Sequence, residues 1–271
     1  MDSRHIQGDG RFRDHLLLGG GVVFETYESF IDSLGIPDAC RLDKRLPKNQ
    51  FYALAKMNSA QQKSFTAQVE SITWTHTLKK STINIPPFVS EQVEYIEVAF
   101  VHVKLHDKGG YRKVSEVIQR IPYPVVLFMS CGTELCVNVA SKRINQADIS
   151  KLTTDEYLYT DWIDLSHPDD GQKAFLESIK VNRLSFENFY SFYADITSRI
   201  VALEAASMGA EFSTDDTSQK KPIVDKINKL KEQIASLKNT IKKESQFNAK
   251  VRLNMQIKKL EEEIKGLKNA F

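Results

Sequence analysis

The chain has 271 residues, 41% of them hydrophobic and 27% charged, with a net charge of +2. That composition excludes wholesale disorder and a membrane-embedded class, and the length allows one domain with a real core plus an appendage. Charge is uneven: residues 223–271 hold twelve Lys/Arg against six Asp/Glu, while the remainder holds 25 against 29.

Residues 1–23 are Gly-rich toward their end and lack any period, and they read as a disordered leader. Their apolar runs are too short for a signal-peptide core, and no later stretch reaches membrane-spanning length. The expected compartment is therefore the cytoplasm, with no membrane partner. Phe24, Tyr27, Phe30, Ile31 and Leu34 share one helical face, stopped by Gly35 and Pro37. A charged connector containing Lys44, Arg45 and Lys48 follows, and Pro47 is placed to open a short helix reaching Ala55. Ser59 with Gln62 fits a capping box for a helix ending near Val69.

Residues 71–77 turn β-rich around Trp74, and residues 93–105 form the strongest strand. Ala99, Val101, Val103 and Leu105 lie on one of its faces and Ile96, Val98 and Phe100 on the other, so it is expected to be central. Val114, Val117, Ile118 and Ile121 mark an amphipathic helix. Residues 125–129 and 135–139 flank a turn at Gly132 and read as a hairpin, with a further strand over 157–163. Together these predict an α+β domain over residues 24–170: a mixed sheet whose helices cover one face. Residues 171–209 extend it with helices, the longer capped by Ser185 and carrying a stripe of Phe189, Tyr190, Tyr193, Ile196, Ile200 and Leu203. The polar stretch 210–222 reads as a linker across which the tail moves.

The tail, residues 223–271, is the clearest element. Ile223, Ile227, Leu230, Ile234, Leu237 and Ile241 precede Phe247, and Leu253, Ile257, Leu260, Ile264, Leu267 and Phe271 mirror them after it. Spacings alternate four and three in both arms, the seam of a coiled coil, and the mirror predicts an antiparallel helical hairpin reversing at Phe247 rather than one long helix. Lys231 is expected level with Glu263 and near Glu261. The seam is a partner-binding or assembly element, or it satisfies only itself.

Chemistry is harder to find. The chain lacks a P-loop, GxGxxG, HExxH and GxSxG, and no cofactor is indicated. Cys40, Cys131 and Cys136 form neither a CxxC pair nor a ligand set, and the close pair His102 and His106 adjoins a solvated turn, so no metal site is expected. A restriction-type nuclease needs an acidic residue and an acid-x-Lys pair on adjacent strands. Glu94 and Glu97 are the available acids, and neither has a lysine two residues on. Lys44, Arg45 and Lys48, with Lys142 and Arg143 as a second basic pair, are the candidates for anionic contact.

Several phrases resemble an uncharacterised bacterial family, a domain of unknown function often encoded beside helicase, DNA methyltransferase and restriction-type genes. They are residues 43–48 (DKRLPK), 72–74 (ITW) with 82–85 (TINI), 93–100, 121–124 (IPYP) and 140–143 (ASKR). The resemblance implies a setting in phage defence or DNA modification rather than a reaction. The expected function is a non-catalytic accessory or assembly subunit docked on a larger DNA-acting enzyme such as a helicase or methyltransferase. The alternatives are a divergent metal-dependent nuclease using Glu94 or Glu97, and nucleic-acid binding through the basic tail.

Overall fold

The computed structural model describes residues 23–145 and 148–271, and the side chains of all of these except residues 145–152. The expected leader therefore falls almost wholly outside the described residues. Thr26 opens α1 (Tyr27–Ser33) through a capping box with Ser29. The charged connector is a strand, β1 (Arg41–Arg45), and α2 (Lys48–Leu54) follows Pro47. The next helix, α3 (Ser59–Gln68), is capped one residue earlier than expected: Asn58 Oδ1 accepts from Gln61 N–H, and Gln61 accepts from Asn58 N–H. Then come β2 (Val69–Lys79), α4 (Lys80–Ile83), the short pair β3 (Phe88–Val89) and β4 (Glu94–Tyr95), and β5 (Glu97–Leu105).

Helix α5 (Tyr111–Ile118) links β5 to β6 (Val125–Cys131), which turns into β7 (Glu134–Asn145). Gly132 stands first in the two-residue turn with φ +62°, a left-handed conformation that costs glycine little. This register sets Cys131 opposite Glu134 and Cys136 opposite Met129, so the two thiols do not face one another. Strand β8 (Asp148–Tyr159) pairs with β7, β9 (Ile163–Asp164) returns to β7, and α6 (Asp170–Ser178) and α7 (Phe189–Ser207) follow. Asn188, not Ser185, caps α7.

The fold is α+β, built on a mixed sheet ordered β1-β2-β5-β6-β7-β8, in which β5 and β6 run parallel and the other pairs antiparallel. Strand β5 lies inside it, as its two apolar faces require. Those faces separate two cores. Val98 and Phe100 join Phe30, Phe128, Phe175 and Phe192 on one side. Ala99, Val101, Val103 and Leu105 join Phe65, Ile118 and Leu127 on the other. Helices thus cover both faces, α1, α6 and α7 on the first and α2, α3 and α5 on the second, correcting the one-sided expectation.

The tail folds as the helical pair α8 (Thr217–Lys243) and α9 (Phe247–Lys268), reversing over residues 244–246. Ile223, Ile264, Leu267 and Phe271 gather around Val224 and Ile227, as the mirror requires. Charge pairing differs from the expected register in detail: Glu263 meets Lys226 at 2.9 Å, and Lys238, not Lys231, approaches Glu261. Nearly half of the expected linker is helix, for α8 starts at Thr217 and includes Pro222. Its first turns are docked. Ala205 of α7 and Met208 just beyond its end pack on Val224 and Ile227, Asn228 donates to Glu204, and Lys221 reaches Glu156 at 2.6 Å. The root of the hairpin is therefore part of the body.

Candidate functional site

The five basic candidates do not form one surface. Lys44 and Arg45 are exposed on edge strand β1. Lys48 is half-buried, and its ammonium donates to the Thr66 carbonyl at 3.1 Å. Arg143, on β7, holds Asp155 at 2.5 Å. Strands β1 and β7 stand four steps apart in the sheet, roughly 19 Å at the usual strand spacing.

Lys142 is a correction to the basic-pair expectation. It is buried, and its ammonium donates to the Ile121 and Tyr123 carbonyls. Burial pushes its pKa down to about 7. Neighbouring residues on a strand point to opposite faces, so a Lys-Arg dipeptide there sends one cation inward and one outward.

The two acids of the nuclease alternative sit apart in role. Glu94 is exposed on β4, in the small two-stranded sheet, whereas Glu97 is half-buried at the start of β5 opposite Lys79. Among the described residues no three His, Cys, Asp or Glu lie close enough to hold a metal ion.

The seam residues divide by position. Ile227, Leu230, Ile234 and Ile257 are buried, while Ile223, Leu237, Ile241, Leu253, Leu260, Ile264 and Leu267 are half-buried. No residue from 235 to 256 is buried, as expected for two helices that meet only each other there. On α9 the seam is not the only apolar row. Phe247, Val251 and Met255, at 77%, 41% and 67% exposure, follow one another at four-residue spacing. At 100° per residue this row lies about 150° around the helix from Leu253, Ile257 and Leu260. It thus faces away from α8, toward solvent. Residues 235–259 carry seven Lys/Arg and one Glu, so the row is set in a basic field. All three residues are plain in the sequence, but they lie outside the four-and-three spacing of the seam.

A second feature lies between α1 and the β1–β2 edge, a pocket of about 290 Å³ that sequence reading missed. Strand pairing is irregular between Arg41 and Lys44 of β1 and between Trp74 and His76 of β2. Such bulges re-aim side chains, and here Thr75 and His76 both line the pocket. Asp43, within the irregular part of β1, has φ +46°, a conformation costing a non-glycine residue about 1–3 kcal/mol.

From α1, the Tyr27 ring stacks on His102 with centroids 3.6 Å apart, and His102 Nε2 shares a 2.8 Å hydrogen bond with Ser130 Oγ. Burial above all, with Lys104 adding to it, lowers the His102 pKa to about 4. Burial first and Arg41 second also lower that of His76. His76 Nδ1 is buried with no hydrogen-bond partner among the described residues, and the buried Tyr27 hydroxyl pairs with Thr75. At the rim Arg41 reaches Asp32 at 3.4 Å and Asp43 at 3.5 Å, and Glu28 adds a third carboxylate.

Taken with the fold, these features define an α+β protein whose mixed sheet carries a basic C-terminal helical hairpin. The chain belongs to the family described as domain of unknown function (DUF4391), whose model matches residues 34–264. No curated protein and no solved structure matches it. No helix among the described residues is long and apolar enough to cross a membrane.

Proposed function

We propose that this protein is a non-catalytic accessory subunit of a larger DNA-acting enzyme, of the restriction or phage-defence kind, gripping it with the outer face of α9. The observation that carries the grip is the row Phe247, Val251 and Met255, exposed on the side of the helix opposite the seam. The seam already satisfies α8, so the row has no structural duty within the hairpin. Its seven neighbouring cations repel a second copy of the same face and favour an acidic groove on a different protein. The DNA-acting nature of the partner rests on the sequence resemblance, which points to helicases and methyltransferases.

Purification at native expression level tests both halves. Wild type should retain a helicase, methyltransferase or restriction-type enzyme. A variant combining Phe247→Ser, Val251→Ser and Met255→Ser should lose it while keeping wild-type helicity and melting temperature. Equal retention by both, or a partner unrelated to DNA, would overturn the reading.

The same basic arms favour a second reading, direct nucleic-acid binding. It predicts duplex binding that weakens steeply with salt and is lost on Lys242→Glu with Lys243→Glu and Lys250→Glu. Binding that survives these reversals would exclude the arms.

A further inference from the structure

At its root the hairpin is already a three-helix assembly. Ala205 of α7, with Met208 just beyond it, packs on Val224, and Asn228 donates to Glu204. Val224 and Asn228 open a second row along α8, continued by Lys231, Ala235, Lys238 and Lys242 at spacings of four, three, four, three and four. At 100° per residue this row runs about 40–120° around α8 from the seam residue Ile234, so every member shares the flank that α7 covers at the root. From Lys231 onward its members are exposed.

There the flank opens into a groove of about 690 Å³ between α8 and α9. The seam residues Ile241 and Ile257 form its floor, and Lys238, Lys242 and Lys258 line it against the single acid Glu261. That acid stands 3.9 Å from Lys238, too far for a tight pair. The opposite flank of the same turns presents the uncharged Gln233 and Thr240, about 100° and 120° from Ile234 the other way. Positive charge is thus gathered on the side where α7 no longer accompanies the hairpin. The approach of Lys238 to Glu261 marks which flank of α9 meets the groove. Phe247 and Val251 of the outer row lie on that flank, about 80° and 120° from Ile257, with Lys258 between them at about 100°. Groove and outer row form one surface over residues 247–261, about 20 Å long at helical rise.

We infer that the partner enzyme lays a helix in this groove, apolar on one face and rich in Asp and Glu on its flanks, continuing toward the tip the position that α7 holds at the root. The assignment rests on the reading of the outer row as the grip, and the helix supplies one wall of the acidic groove that takes Phe247 and Val251. Its apolar face covers Ile241 and Ile257, and its carboxylates meet Lys238, Lys242 and Lys258, as Glu204 of α7 meets Asn228. About four helical turns fill the surface. A second hairpin brings the same lysines and is repelled.

Fluorescence anisotropy of the full-length protein with a labelled, hydrocarbon-stapled peptide of about 18 residues, Leu at heptad positions a and d and Glu at most others, tests the assignment. The peptide should bind at physiological salt with Kd at or below about 100 μM, and versions with Lys for Glu or Gln for Leu about tenfold more weakly or not at all. Lys238→Glu with Lys242→Glu should weaken binding about tenfold. Lys229→Glu with Lys243→Glu, the same charge change on the far side of α8, should alter it less than about threefold. Circular dichroism and melting temperature should stay near wild type in both. No binding at about 1 mM, equal losses in the two double variants, or equal binding of the Gln version, as a site for any polyanion such as nucleic acid gives, would overturn it. The peptide carries nothing of a DNA-acting enzyme. Its failure to bind therefore removes the groove and leaves a copurified enzyme standing, whereas failed copurification with the peptide still bound removes the reading of the partner instead.

Discussion

Lys142 shows what one residue does when a strand carries its charge inward. Its folded pKa of about 7 lies below the ordinary 10.5, so between those values the unfolded chain binds a proton that the folded chain lacks. Stability from this group therefore rises with pH across that window, by up to about 1.4 kcal/mol per pH unit, and is lost as pH falls from about 10.5 to about 7. Urea titrations from about pH 7 to 9 should show that rise in wild type and a flatter profile in Lys142→Met. Equal slopes would place the ammonium in water.

Tyr193 is the second decisive residue. Its buried hydroxyl accepts from Ala140 N–H at 2.8 Å and lies 2.9 Å from the Val125 carbonyl, tying α7 to β6 and β7. Tyr193→Phe leaves the Ala140 N–H unmatched and should cost about 1–3 kcal/mol in the same assay. In the sequence Tyr193 is one member of an aromatic stripe, and the burial of that stripe was legible. The hydroxyl's partners lie more than fifty residues away and were not. The burial of Lys142 was hidden for a different reason: only strand alternation separates the buried lysine of the ASKR phrase from its exposed arginine.

At the scale of elements, the hairpin was readable because its signal is periodic and mirrored. At the root Ile223, Ile227, Leu267 and Phe271 gather in one apolar cluster. The docking of that root on α7 left no such signal, since it depends on Ala205 and Met208, small or flexible residues that set no period. Ile227 is fully buried at this three-helix junction, whereas Ile241 is half-buried near the reversal. Ile227→Ala should accordingly cost about 2–4 kcal/mol and Ile241→Ala well under half of that, measured by urea unfolding. Comparable costs would mean that the distal arms are packed as tightly as the root.

The edge of the sheet was least legible. Residues 41–45 read as a charged connector because no apolar alternation marks a strand whose side chains are all exposed. The bulges beside it, and hence the pocket, follow from pairing between strands about thirty residues apart. Local propensity carries no trace of that geometry.

For the molecule as a whole, charge and apolar exposure divide the labour. The sheet buries its apolar residues against helices on both faces, while the distal hairpin keeps an apolar row in water amid seven cations. A surface of that kind is retained where another protein covers it. The most direct measurement is photocrosslinking in cells of the source organism, with a photoreactive residue at position 251 on the outer row of α9 and a control at position 120 on the body. Capture of a helicase, methyltransferase or restriction-type enzyme from position 251 and not from 120 is the predicted result. Crosslinks to no protein from position 251, or the same products from both positions, would contradict a subunit that grips its enzyme through the hairpin.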